Sequence, residues 1–132
     1  MDALKPAYAG QPAAARALRR WKTHRAYALG NAGRDAEELA LRKELAVENP
    51  RDCDVQIDYA RELFIRKDTD AGLAWLKDRL AAGGWTATED EQLRLQYATA
   101  LENESRYADL AAFLAEWVKR HPETDAAYAR HL

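Results

Sequence analysis

The residues best able to bind a metal or attack a substrate are three histidines and one cysteine, and their placement argues against both roles. His24, His121 and His131 each lack a second histidine four residues away and lie outside any HExxH context, so no two ligands share a helix face. Cys53 is the only cysteine. It can form no internal disulfide or thiolate cluster, and with no glycine loop or paired histidine beside it, it reads as a small, half-buried apolar residue. The chain has no GxGxxG or P-loop pattern, and Gly83-Gly84 is better explained as a helix end. Carboxylates gather in "TEDE" at 88–91, where they would complement the dipole at a helix start. The "NES" at 103–105 spells a glycosylation sequon, meaningful only in a protein secreted from a eukaryote. No catalytic, metal-binding or cofactor-binding residue is expected, and the chain reads as non-enzymatic.

Arginines are the other chemically suggestive group. Arg16, Arg19 and Arg20 lie near Thr23, His24 and Tyr27 on roughly one face, a set able to grip phosphates and stack a base. Residues 1–34 hold seven Lys or Arg against Asp2 alone, a net +6, whereas the remaining 13 basic and 21 acidic residues give −8 and leave the chain at −2. A basic first helix on an acidic body suggests an anionic partner or a docking contact between basic and acidic surfaces. The pI near 5.9 disfavours nucleic acid.

The elements that must position these residues are helical. Ala, Leu, Arg, Glu and Lys dominate, and no alternating β-branched segment appears, so an all-α fold is expected. The 132 residues suit one domain, with 1–11 irregular and 12–132 helical. Pro12 fits a first helical turn, and Ala14, Ala17, Leu18, Trp21, Ala28 and Leu29 form one apolar stripe, predicting a helix over 12–31. Further helices are predicted over 35–48 with Asp35 as N-cap and Pro50 as stop, over 53–66, and over 70–82. Thr88, three residues before Glu91, has capping-box spacing and opens a fifth helix to 103. A sixth spans 107–120 before Pro122, and "ETDAAYARHL" opens a seventh, capped by Thr124 or Asp125. No window approaches the roughly 18 consecutive apolar residues of a membrane span. "MDALKPAYAG" lacks the order of a secretory signal, which favours the cytoplasm but leaves the compartment open.

Superposing the helical hairpins exposes a period. Ala26, Ala60 and Ala98 align, Leu29, Leu63 and Leu101 follow three residues later, and the turns fall at Gly33, Lys67 and Ser105. The spacing is 34 residues and then 38, with the extra four placed in "GGWTATED". On these residues, with Tyr107 after the third turn and Pro50 and Pro122 at unit ends, residues 19–124 resemble the tetratricopeptide repeat family. The resemblance is degenerate: the family's small residue on the second helix is met by Glu38, Gly72 and Leu110, and only Gly72 fits well.

The resemblance implies a right-handed superhelical array of three antiparallel hairpins (19–52, 53–86, 91–124) with a C-terminal capping helix. Such an array would bind a peptide or partner protein in its concave groove. Carried over by position, the groove residues are Arg20, Thr23, Tyr27 and Asn31, then Asp54, Ile57, Arg61, Phe64 and Ile65, then Gln92, Leu95, Thr99, Glu102 and Asn103. Arg20 and Arg61 would bond a peptide carboxylate, and Ile57 and Phe64 would accept an apolar side chain. The Lys/Asn clamp of the family's chaperone-binding branch is replaced by Thr23, Tyr27, Asp58, Gln92 and Gln96, which disfavours chaperone tails. Trp21, Trp75 and Trp117 read as core, and Trp85 as a plug at the junction of the second and third units or an exposed anchor. The expected function is a non-enzymatic interaction scaffold, part of a larger protein. A structural spacer or oligomerisation element and a regulatory domain attached to an enzyme are the alternatives.

Overall fold

The computed structural model describes residues 12–120, and among them all regular structure is helical. The helices are α1 Pro12–Asn31, α2 Asp35–Glu48, α3 Cys53–Ile65, α4 Thr69–Ala82, α5 Ala87–Asn103 and α6 Tyr107–Arg120. The chain divides into two compact units, Met1–Gly72 and Leu73–Leu132, with the boundary inside α4. The expected seventh helix with its Thr124 or Asp125 cap, the segment 1–11, Pro122, His121 and His131 lie outside the described residues.

In the first unit α1 packs on α2, and α2 on α3. Ala26 is fully buried, which lets the first pair approach closely, and Leu29, Leu45, Ala46, Tyr59, Ala60 and Leu63 fill the interior. Gln56, also fully buried, ties the second pair together: its Nε2 donates to the carbonyls of Ala46 at 2.8 Å and Asn49 at 2.9 Å. In the second unit α5 packs on α6. Leu93, Ala98, Leu101, Leu110 and Trp117 are buried there, and the Phe113 ring lies 4.5 Å from Tyr97 and 6.2 Å from Trp117. Trp117 is core as expected, but Trp21 and Trp75 are only half-buried. Trp85 is half-buried too, its indole donating to the Arg79 carbonyl at 2.8 Å.

Two expected helix starts shift. The residue before α2 is Arg34, with no side-chain cap bond, and Asp35 is already helical, where its charge still favours the positive end of the dipole. The capping box forms two residues earlier than Thr88: Thr86 Oγ1 accepts from the Glu89 N–H at 3.1 Å, and Glu89 Oε1 accepts from the Thr86 N–H at 3.0 Å. Both pairs have the required spacing, so the sequence pattern alone could not choose between them.

The three aligned turns share one geometry. At each, a residue at positive φ (Gly33 at 76°, Lys67 at 65°, Ser105 at 57°) donates to the carbonyl three residues back. The next residue, Arg34, Asp68 or Arg106, donates to the carbonyl of Leu29, Leu63 or Leu101, closing a Schellman motif. The carbonyl of that same residue then accepts from the N–H of Glu38, Gly72 or Leu110, starting the next helix. Only the first turn uses glycine. Left-handed backbone costs an L-residue roughly 1 kcal/mol, so Lys67→Gly and Ser105→Gly should each stabilise the chain by several tenths of a kcal/mol or more, and Gly33→Ala should destabilise it by about 1 kcal/mol. Urea unfolding of the three variants reads the signs directly.

Candidate binding groove

Of the expected groove residues in the first unit, Arg20, Tyr27 and Asn31 on α1 are exposed and Thr23 is half-buried, its hydroxyl donating to the Arg19 carbonyl at 2.9 Å. On α3, Asp54, Arg61 and Ile65 are exposed, whereas Ile57 is buried. Phe64 is half-buried with its ring against Gly72, so close that a Cβ at Gly72 would run into it. Ile57 and Phe64 therefore serve packing first. On α5 of the second unit, Gln92, Thr99, Glu102 and Asn103 are exposed and Leu95 is half-buried.

Between α1, α2 and α3 of the first unit lies an ionic cluster that no short sequence window predicts. Glu38 and Arg42, one turn apart on α2, are both buried, and Glu38 Oε2 accepts from Arg42 Nε at 3.1 Å and Nη2 at 3.0 Å. Arg66, just past α3, donates to Glu38 Oε1 at 3.2 Å and to the Asp35 carbonyl at 2.8 Å, and pairs with Glu62 through its other nitrogen. Arg42 Nε also lies 3.8 Å from Glu62 Oε1, and the Arg42 guanidinium sits 5.2 Å from the centre of the Tyr27 ring. Tyr27 is thus held from beneath by a buried cation while 62% of its surface faces solvent. The exposed Tyr27 ring rests on Arg42, which no local pattern in α2 singles out.

A second ionic set fixes α1. Lys22 is 3% exposed and donates to Glu44 Oε1 at 2.8 Å and Glu48 Oε1 at 2.5 Å on α2. Arg19 pairs with Asp52, the N-cap of α3, whose carboxylate also accepts from the Val55 N–H at 3.3 Å. Part of the basic charge of α1 is consumed inside the unit, a docking of basic on acidic surface within one chain.

Burial raises the Asp58 pKa above its ordinary 3.8; the fields of Arg42 and Arg61 oppose the shift, and those of Asp54 and Glu62 add to it. A carboxyl whose folded pKa is raised weakens the fold above that pKa, and the penalty fades as pH falls through it. Asp58→Asn should therefore be more stable than the parent at neutral pH, and thermal melts across a pH series should show the advantage vanishing as pH falls towards 3.8. Glu38→Ala should act oppositely. It removes the hydrogen-bonded partner of the buried Arg42 and leaves Glu62 at 3.8 Å, so a loss of about 3 kcal/mol is expected in urea unfolding at neutral pH.

Among the described residues no group of three His, Cys, Asp or Glu side chains converges on a metal-sized position, and no helix is long and apolar enough to cross a membrane. Comparison with family models, curated proteins and solved structures finds no match to this chain.

Proposed function

We propose that the chain is a non-enzymatic protein-interaction module built of TPR-like helical hairpins, in which α1 and α3 of the first unit line a peptide-binding groove. The observation that carries this reading is the threefold recurrence of one Schellman turn at Gly33, Lys67 and Ser105. Recurring helix ends at near-constant spacing are what a stacked array of equivalent hairpins requires, and a plain bundle has no need of them. Arg20, Tyr27, Asn31 and Arg61, exposed as groove contacts must be, form the recognition set of the first two hairpins, and Gln92, Thr99 and Glu102 are exposed on α5 of the third. Guanidinium groups and an aromatic ring suit a peptide carrying a carboxylate beside an apolar side chain. Charge-tracking along phosphates would need a more basic surface than this acidic chain offers.

The test is selection of a displayed random-peptide library on the immobilised chain, followed by titration of the enriched peptides in solution. Arg20→Glu and Arg61→Glu should each weaken binding roughly tenfold or more, the worth of a charge-assisted hydrogen bond. Peptides that bind both variants as tightly as the parent would sink the groove assignment, and failure to enrich any peptide would sink the module.

A further inference from the structure

One pair of opposite charges on α3 stands outside the buried ionic cluster. Asp58 precedes Arg61 by three residues, so the two side chains share one side of the helix, where an acid and a base at that spacing attract each other. Arg61 is exposed and Asp58 half-buried. Neither is hydrogen-bonded or ion-paired at contact distance to another described side chain. Their attraction therefore acts through space, and the Arg61 guanidinium keeps its donors for a ligand.

The other charges around Asp58 come from all three helices of the unit. From α2, Arg42 is bonded to Glu38 at 3.1 and 3.0 Å and has Glu62 at 3.8 Å. On α3 itself, Glu62 is held by Arg66, and Asp54, one turn before Asp58, is exposed. On α1, Arg20, His24 and Tyr27 form an exposed stripe, with Tyr27 resting on Arg42. Glu38 and Glu62 balance Arg42 and Arg66 charge for charge, so Arg61 is the guanidinium that Asp58 and a ligand would share. Burial, opposed by the fields of Arg42 and Arg61, raises the Asp58 pKa above 3.8.

If α1 and α3 line a peptide groove, as proposed above, a ligand carboxylate on Arg61 lies beside Asp58. Two carboxylates facing one guanidinium repel each other, and the repulsion ends when one of them takes a proton. We propose that Asp58 sets the groove's selectivity for acidic peptides: charged, it competes with the ligand for Arg61, and protonated, it gives Arg61 up. The coupling is reciprocal. A bound carboxylate makes the Asp58 proton harder to remove, so binding takes up protons and tightens as pH falls through the range in which Asp58 titrates.

Calorimetric titration of library-selected acidic peptides against the full chain, Asp58→Asn and Arg61→Glu tests this. At pH 7 Asp58→Asn, which keeps the shape and removes the charge, should tighten an acidic peptide roughly threefold or more, the effect of one like charge a few ångströms away at a protein surface. The same peptide with its carboxylates replaced by amides should bind parent and variant alike. A pH series then uses a peptide carrying sulfonates in place of carboxylates, because these stay ionised throughout. The advantage of Asp58→Asn should fade as pH falls towards 3.8, and should do so in a His24→Gln background as well. Binding lost in Arg61→Glu but unchanged in Asp58→Asn would overturn the proposal and leave the groove standing. So would equal tightening of the acidic and amide peptides, an advantage that persists at low pH, or one that disappears with His24. Peptides bound equally by the parent and Arg61→Glu would overturn the assignment of Arg61 to the groove, and this proposal with it.

Discussion

A carboxylate withdrawn from water must be met by charge and donors or it takes up a proton, and Glu38 is met from two directions. Arg42 approaches along α2 and Arg66 comes from beyond the end of α3, each bonding a different oxygen. Arg66 in turn holds the Asp35 carbonyl and Glu62, so the start of α2 and the end of α3 are joined through one guanidinium. The α1 residue that faces this carboxylate is Gly30, and a Cβ there would stand 2.9 Å from Glu38 Oε2. The tie from α2 to α3 and the support beneath Tyr27 both trace to this buried charge and the two cations that neutralise it.

The next hairpin solves the same packing problem with the sizes exchanged. Gly30 and Glu38 correspond, 34 residues on, to Phe64 and Gly72, and there the large side chain is on the first helix and the glycine on the second. In the third hairpin the pair is Glu102, exposed, and Leu110, buried. In the first two hairpins a glycine on one helix makes room for the large side chain on the other, and the helix that carries the glycine is exchanged between them. A comparison made one column at a time therefore shows Glu38 as a misfit, although its partner at Gly30 resolves it.

The helices and turns were legible because their signals are local: Pro at starts and stops, a 3.6-residue apolar stripe, and the aligned Gly33, Lys67 and Ser105, which all take up left-handed backbone. Exact caps were less so. Thr86 and Thr88 both have a glutamate three residues on, and the pairing that forms depends on where the chain leaves Trp85, whose indole is held by the Arg79 carbonyl. The ionic clusters were illegible for a different reason. Lys22 meets Glu48 across 26 residues and Arg66 meets Glu38 across 28, and each is one of many opposite-charge pairs that composition would allow. Which cation is buried follows from helix packing, and packing is not written in any short window.

The same clusters change what the basic first helix offers to a partner. Arg19 and Lys22 are committed to Asp52 and to Glu44 and Glu48, so the charge asymmetry of the sequence is partly spent on folding. Of the cations left at the surface, Arg16 and Arg20 are one turn apart on one side of α1, whereas Arg25, five residues after Arg20, is about 140° away from it around the helix and lies on Trp21. Binding along phosphates draws on cations in a continuous row. α1 instead divides them, Arg16 and Arg20 on one side and Arg25, against the Trp21 ring, on another. Arg25 alone of these lies on a ring, and a guanidinium on aromatic carbon is desolvated at little cost when another surface covers both.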